Sequence, residues 1–173
     1  MSAFDDIGID FGTSNTVIVT EQKGIVLNEP SFAALDNEKG RIIAVGKRAY
    51  SMTGKTPKRL TLLKLMCRGR ISDPETARAI LKVFLQKAVG GRHIINPRVS
   101  ICVPASATDV EKKSMADTAF CAGARKVFLV EHPLAALIGF GAGVISPEGK
   151  MVVDIGGGTT DIAVVSLGGT VIR

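Results

Sequence analysis

The sequence contains no tryptophan and only one tyrosine, and aromatic residues make up 5% of its 173 residues. A core built from this composition has to be aliphatic. Val, Ile, Leu and Ala dominate the strand-like runs, as is typical of buried parallel strands. The basic stretch 47–70 lacks the series of aromatic side chains that single-strand binders interleave with their positive charges. The net charge of +6 is otherwise scattered, and we therefore expect no nucleic-acid partner.

Cysteine is also scarce, and Cys67, Cys102 and Cys121 lie far apart in the chain. An odd number at wide spacing excludes a disulfide framework and a zinc knuckle. We expect Cys102 and Cys121 to be small core residues in a reducing cytosol. No apolar run approaches the ~20 residues of a membrane-spanning helix. Asp5 and Asp6 interrupt the N-terminus before a signal peptide could form, which favours a cytoplasmic protein.

The first part of the chain has the pattern of a three-stranded β-meander over residues 7–10, 16–20 and 24–27. Residues 28–30, which end in a proline, are expected to break the last strand. Residues 31–70 are basic with scattered glycines, and they are predicted to form a small inserted subdomain of mixed structure.

Helix and strand signals alternate in the middle of the chain. Asp73 is a suitable N-cap and Pro74 a suitable first helical residue. Residues 98–103 predict a strand that is buried on both faces. Thr108 and Glu111 have the spacing of a capping box, which starts the next helix.

The last part of the chain predicts a short buried strand over 127–130, a helix over 133–140 and a second meander. The strands of that meander are expected at residues 151–154, 161–166 and 170–172. Strands that alternate with helices in this order predict an α/β fold.

One corner of each meander carries the same pattern. An apolar strand, an aspartate and a glycine- and threonine-rich turn occur at residues 10–14 (Asp-Phe-Gly-Thr-Ser). They occur again 144 residues later, at residues 154–160 (Asp-Ile-Gly-Gly-Gly-Thr-Thr). A single Asp-x-Gly turn is most often an ordinary tight hairpin. Two copies of one pattern indicate a duplicated functional element.

Turns of this composition are suited to phosphate, because they expose successive backbone N–H groups and glycine lets an anion approach them closely. The aspartate before each turn would repel phosphate unless a divalent cation lay between them. Mg²⁺ keeps most of its waters and takes one or two carboxylates together with phosphate oxygens. The sequence thus predicts two hairpins that hold the polyphosphate tail of a nucleotide from opposite sides.

Five segments resemble a known family. Residues 9–16 and 153–161 resemble the first and second phosphate loops of the actin, heat-shock-chaperone and sugar-kinase superfamily. Residues 24–31, 97–104 and 166–169 resemble the MreB family of bacterial actins in particular.

The resemblance implies an α/β fold of the actin-like, ribonuclease H-like ATPase type. We expect a first lobe with a mixed sheet and flanking helices, followed by the first β-meander of a second lobe. Subdomain IA would comprise residues 1–31 and 72–145, subdomain IB residues 32–71, and the start of subdomain IIA residues 146–173.

ATP and Mg²⁺ are the cofactors that the resemblance implies. Asp10 and Asp154 would hold the hydration shell of the magnesium ion. The other implied nucleotide contacts lie in the two turns. They are Gly12, Thr13, Ser14 and Asn15 toward the β-phosphate, and Gly156, Gly157, Gly158, Thr159 and Thr160 toward the γ-phosphate.

The sequence departs from the family pattern at the catalytic centre. The family has a carboxylate immediately before Pro133, which orients the attacking water, and here that residue is His132 with Glu131 beside it. The candidate catalytic residues are therefore Glu131, His132 and Thr160. We expect slow or absent ATP hydrolysis, because a misplaced general base costs about 10²–10⁴-fold. A purely structural histidine is the alternative.

Two further departures concern length and charge. Family members are about twice this long, so the adenine-binding motif and most of the second lobe are expected after Arg173. Apolar surface on the last meander is then expected to be exposed. In the stretch 64–70, Arg68 replaces an acidic residue of the family and Arg70 is added. These arginines predict either a basic side of the cleft or a solvated charged face.

The partners implied by the resemblance are further copies of the chain in a filament, the cell-wall synthesis machinery and the inner face of an anionic membrane. The filament would govern cell shape. Ile94 and Ile95, between Arg92 and Arg98, are the candidate membrane contact. The alternative is that they are buried in the lead-in to a strand. The expected location is cytoplasmic and peripheral to the membrane.

Three other interpretations of the superfamily resemblance remain open. A phosphotransferase needs a substrate-binding acid in the insertion and a larger second lobe. A chaperone-like switch needs a substrate-binding region after residue 173. A non-catalytic remnant would be unable to bind nucleotide, and binding of ATP with Mg²⁺ distinguishes it from the rest.

Overall fold

The structure is a computed structural model that describes residues 6–89 and 97–173. In chain order the strands of these residues are β1 Asp6–Phe11, β2 Asn15–Thr20, β3 Gly24–Pro30, β4 Phe32–Asp36, β5 Arg41–Val45, β6 Leu60–Lys64, β7 Met66–Cys67, β8 Arg70–Ile71, β9 Arg98–Val103, β10 Lys126–Glu131, β11 Lys150–Ile155, β12 Thr160–Ser166 and β13 Gly169–Ile172. The helices are α1 Lys47–Tyr50, α2 Pro74–Ala88, α3 Asp109–Cys121 and α4 His132–Gly139.

The main sheet is mixed and has the strand order β10-β9-β1-β2-β3. β1, β9 and β10 run parallel, whereas β1, β2 and β3 form an antiparallel meander. The predicted α/β fold and first meander are therefore confirmed. The predicted break at residues 28–30 is wrong, because β3 continues to Pro30. β3 lies at the edge of the sheet, where the missing N–H of proline is tolerated.

Two helices cover one face of the main sheet. Alternate residues of β1 and β9 point to this face and pack against α2 and α3, because successive strand residues point to opposite sides. The largest side chains of this core include Ile7, Ile9, Phe11, Ile80, Leu81, Phe84, Val99, Ile101 and Val103.

The other face of the sheet is less covered than the sequence predicts. β9 alternates between buried and exposed residues instead of being buried on both faces. β10 was predicted to be buried, but it is an edge strand, and Phe128 and Leu129 are exposed. Cys121, a predicted core residue, is exposed as well.

The predicted helix starts are confirmed in detail. The Asp73 carboxylate accepts a hydrogen bond from the Thr76 backbone N–H at 2.8 Å, and Pro74 is in the first turn of α2. Thr108 and Glu111 form the reciprocal bonds of a capping box at the start of α3. Each cap satisfies backbone donors that the helix itself leaves open.

Smaller sheets complete the fold. The inserted segment contains a three-stranded sheet of order β5-β4-β6, the helix α1 and the two-stranded β7-β8. The final segment is the predicted second meander, of order β11-β12-β13. α4 packs against β9 and β10 of the main sheet and also against all three strands of this meander. It therefore fixes the second meander beside the carboxyl ends of β9 and β10.

The outer face of the second meander is apolar and exposed, as predicted, at Met151, Val153, Ile155 and Ile162. Among the residues that the structure describes, no helix combines the length and the hydrophobicity needed to cross a bilayer.

Candidate functional site

The two matching turns have the same backbone geometry. In the first corner, residues 12–15, the Gly12 N–H donates to the Asn15 carbonyl at 3.1 Å. In the second corner, residues 156–159, the Gly156 N–H donates to the Thr159 carbonyl at 2.9 Å. Each corner joins two antiparallel strands and begins two positions after an aspartate. The duplication inferred from the sequence is thus also a duplication of structure.

The two corners lie against each other. A Cβ atom added at Gly158 would lie 2.6 Å from Thr13 Oγ1, 2.7 Å from Thr13 Cγ2 and 2.9 Å from Thr13 Cβ. One added at Gly157 would overlap the Ser14 hydroxyl and lie 2.9 Å from Ser14 Cβ. Only glycine fits at these positions, because every atom of the facing side chain is closer than a real Cβ contact.

A cavity of about 200 Å³ opens between the corners. Pro104, Met66 and Cys102 contribute to its walls. The predicted site residues that line it are Asp10, Gly12, Thr13, Ser14, Asn15, His132, Asp154, Gly156, Gly157, Gly158 and Thr159. Residues 144 positions apart therefore meet at one site.

Two predicted site residues do not line this cavity. Thr160 opens β12, pairs with Ile155 across the hairpin and is exposed. Glu131 ends β10, and its carboxylate lies 3.1 Å from the Arg173 guanidinium and 3.6 Å from the Lys112 ammonium. These ion pairs occupy the Glu131 carboxylate outside the cavity.

His132 stands among three carboxylates. Its Nε2 is 3.8 Å from Asp10 Oδ1, and its Nδ1 is 4.0 Å from Asp154 Oδ2 and 3.8 Å from Asp161 Oδ2. These separations exceed hydrogen-bond lengths. The first residue of α4 thus places an imidazole where carboxylates of the two hairpins converge.

Asp161 belongs to this site, and sequence reasoning assigned it no role. It lies directly across the second hairpin from Asp154 in the β11–β12 register, and it is only 6% exposed. Its Oδ1 accepts a hydrogen bond from the Ala105 N–H at 3.2 Å. The alternation along β12 carried the signal, because Asp161 occupies an inward position in series with Ala163 and Val165.

The electrostatics of the cavity floor favour a cation. Burial raises the pKa of Asp10, the neighbouring Asp154 carboxylate raises it further, and His132 opposes both effects. Burial and the same two carboxylates raise the pKa of the Cys102 thiol to about 12. Carboxylates of both hairpins are therefore concentrated at this side of the cavity, where a cation would be stabilised.

The basic stretch 64–70 reaches the second corner through Gly69. A Cβ there would lie 2.9 Å from Thr159 Cγ2 and 2.9 Å from Pro104 Cγ. The Arg70 guanidinium forms a salt bridge with Glu111, and Arg70 is largely exposed. Its charge is thus paired at the surface, as expected for a solvated charged face. Ile94 and Ile95, the predicted membrane contact, lie outside the described residues.

Solved structures share this fold. MreB5 of Spiroplasma citri bound to ADP superimposes with a TM-score of 0.88 at 34% identity, over 97% of this chain and 50% of that one. The MamK double helical filament gives a TM-score of 0.78 at 26% identity, over 98% of this chain and 51% of that one. The fold is that of an actin-like lobe followed by the first meander of a second lobe.

The family model for MreB/Mbl protein matches residues 4–173, and the chain belongs to that family. The cell shape-determining protein Mbl of Bacillus subtilis (strain 168) is 47% identical over 163 residues, which are 94% of this chain and 49% of that protein. The cell shape-determining protein MreB of Escherichia coli (strain K12) is 43% identical over 172 residues, 96% of this chain and 50% of the relative. The chain thus spans about half the length of the curated relatives it matches.

Proposed function

We propose that this chain binds the phosphate groups of ATP, together with Mg²⁺, between its two corners, as part of an actin-like cytoskeletal protein. The observation that carries the proposal is the meeting of residues 12–15 and 156–159 around one cavity. Glycine, serine and threonine residues line it from both sides, a composition that suits a polyphosphate tail. The relative MreB5 of Spiroplasma citri has been solved with ADP and with AMPPNP.

The carboxylates present fit a magnesium ion held through water. Asp10 and Asp154 lie on the two sides of the His132 ring, and their side chains are 53% and 39% exposed. That exposure leaves room for the waters that Mg²⁺ retains. The ion would neutralise the phosphate oxygens, while the two aspartates would position it against both corners.

The corners themselves would orient the nucleotide. The first corner would receive the β-phosphate through Gly12, Thr13, Ser14 and Asn15, and the second corner the γ-phosphate through Gly156, Gly157, Gly158 and Thr159. Thr160, which the resemblance also implies, follows the second corner and does not line the cavity. His132 faces the cavity where the family resemblance implies a carboxylate for the attacking water. A neutral imidazole can accept a hydrogen bond from water. We propose that hydrolysis is slow because the imidazole orients the attacking water less effectively than the carboxylate that the resemblance implies.

The separate sheets support the proposed division into subdomains. The five-stranded sheet with α2 and α3 would be subdomain IA, the β5-β4-β6 sheet subdomain IB, and the β11-β12-β13 meander the start of subdomain IIA. Nucleotide bound between the first and last of these would join them. Such closure would link the nucleotide state to assembly of the chain with further copies of itself.

The cellular role proposed here is a filament that governs cell shape, since the curated relatives are cell shape-determining proteins and MamK is solved as a filament. We place the filament in the cytoplasm at the inner membrane face, in contact with the cell-wall synthesis machinery. The membrane contact would be made by Ile94 and Ile95.

Calorimetry with ATP and Mg²⁺ tests the proposal on the 173-residue chain. Asp10→Ala and Asp154→Ala should each weaken binding by about tenfold or more, which corresponds to about 1.4 kcal/mol. Asp117→Ala, at an exposed position of α3, is the matched control and should bind as the parent chain does. Removing Mg²⁺ with a chelator should lower the ATP affinity of the parent chain by a larger factor than it lowers the affinity of either aspartate variant. Equal affinity of all four proteins would rule out the magnesium site.

A further inference from the structure

His132, Asp154 and Asp161 present metal-ligating atoms to one another. One such atom from each residue lies within 4.8 Å of the other two. The three residues come from different elements, α4, β11 and β12. The packing of α4 on the second meander therefore brings the three residues together, since they are not neighbours along one strand.

Two independent features of the group point to a cation. Asp154 and Asp161 are opposite each other across an antiparallel hairpin, and like charges in that relation destabilise a sheet. The Asp161 side chain is also buried, with 6% exposure, and a buried carboxylate needs a nearby positive charge or hydrogen-bond donors to stabilise it. Its Oδ1 is held by the Ala105 N–H, which leaves Oδ2 on the side of His132.

The imidazole determines which cation fits. Mg²⁺ takes oxygen ligands and dehydrates reluctantly, whereas imidazole with carboxylates suits borderline ions such as Zn²⁺ and Co²⁺. We propose that His132 Nδ1, Asp154 and Asp161 directly bind a divalent transition-metal ion of this kind. The site overlaps the water-mediated magnesium site proposed above at Asp154, but it differs from that site in binding the ion directly through His132 and in not requiring nucleotide.

The geometry needs only a small adjustment around Nδ1. Ligand bonds of 2.0–2.2 Å in a tetrahedral site place ligand atoms about 3.4 Å apart. The distances from His132 Nδ1 to the two carboxylate oxygens are 3.8 Å and 4.0 Å. Asp154 can move inward because its side chain is 39% exposed. The cavity beside it leaves a fourth position open to water.

Asp10 is the carboxylate placed to become the outer partner that such a histidine usually has. A metal-bound imidazole normally directs its other N–H to a carboxylate, which fixes the tautomer. Here Nε2 lies 3.8 Å from Asp10 Oδ1. The ring is thus already oriented with Nδ1 toward the two inner carboxylates and Nε2 toward the outer one.

Cobalt absorption spectroscopy on the untagged chain without nucleotide tests the proposal. The parent chain should develop the visible bands of low-coordinate Co²⁺ without a near-ultraviolet thiolate-to-cobalt band, and Zn²⁺ should displace the cobalt. His132→Gln and Asp161→Asn should each weaken cobalt binding by at least about tenfold, the lower end of the cost of losing even outer contacts. Asparagine keeps an acceptor for the Ala105 N–H, and circular dichroism checks that each variant is folded.

The chain offers a matched control, because its other histidine is His93. His93→Gln should bind cobalt as the parent chain does. Unchanged affinity in His132→Gln, a loss confined to His93→Gln, or a thiolate band would each overturn the proposal. Calorimetry with ATP and Mg²⁺ on the parent chain separates the two claims. Failure there with cobalt binding intact overturns the nucleotide proposal alone.

Discussion

Replacing Gly158 with alanine should weaken the binding of ATP with Mg²⁺ by about 5–150-fold, because the new methyl group drives the two corners apart. It would lie within 3.0 Å of three atoms of Thr13, including Cβ. Rotation of the threonine cannot remove all of these overlaps. Overpacking of this kind costs about 1–3 kcal/mol. Here it would destabilise the arrangement in which the two corners contact each other and bind one ligand. Calorimetry on the folded variant measures the effect.

Two further variants isolate the cause. Gly139→Ala adds the same methyl group in α4, where no atom lies within 4 Å of the new Cβ, and it should leave the affinity unchanged. Adding Thr13→Gly to Gly158→Ala removes the facing side chain and should recover part of the loss. An affinity of Gly158→Ala equal to that of the parent chain would mean that the corners do not act on one ligand.

Truncation of Phe84 to alanine should lower the free energy of unfolding by about 3–5 kcal/mol, the usual cost of removing a large aromatic side chain from a core. Phe84 is fully buried on α2, in the cluster that joins this helix to β1 and β9. The substitution would therefore destabilise the packing of the sheet that carries Asp10. Urea denaturation followed by circular dichroism measures it.

The matched control is Phe140→Ala, since Phe140 is 88% exposed after α4. This variant should change the free energy of unfolding by no more than about 0.5 kcal/mol. Comparable losses in the two variants would show that the cluster around Phe84 is not the stabilising core of the chain.

The parts of the fold that sequence predicted well are those set by local chemistry. The Asp73 and Thr108 caps, the two meanders and the two glycine corners all depend on residues within a few positions of one another. Their duplication predicted that the two corners would face one another, and the structure places both around one cavity. Local patterns also carried the family resemblance, which the family match confirmed.

The parts that sequence missed depend on which elements become neighbours. Nothing near Pro30 in the sequence says that β3 lies at a sheet edge, where proline is tolerated. Likewise, nothing near Phe128 in the sequence says that β10 is the other edge strand of the described sheet, where this side chain is exposed. Asp161 acquired its place in the site through Ala105 and His132, which are far away along the chain. Long-range packing decided each case, and the alternation along β12 indicated only that Asp161 points inward.

The most direct measurement of the central claim is an NMR titration of the isotope-labelled chain with ATP and Mg²⁺. The amide signals of Thr13 and Ser14 report on the first corner, and those of Gly157 and Gly158 report on the second. All four should shift along one binding curve with one dissociation constant, because a single phosphate tail contacts both corners. Shifts confined to one corner, or two curves with different constants, would contradict a shared nucleotide site.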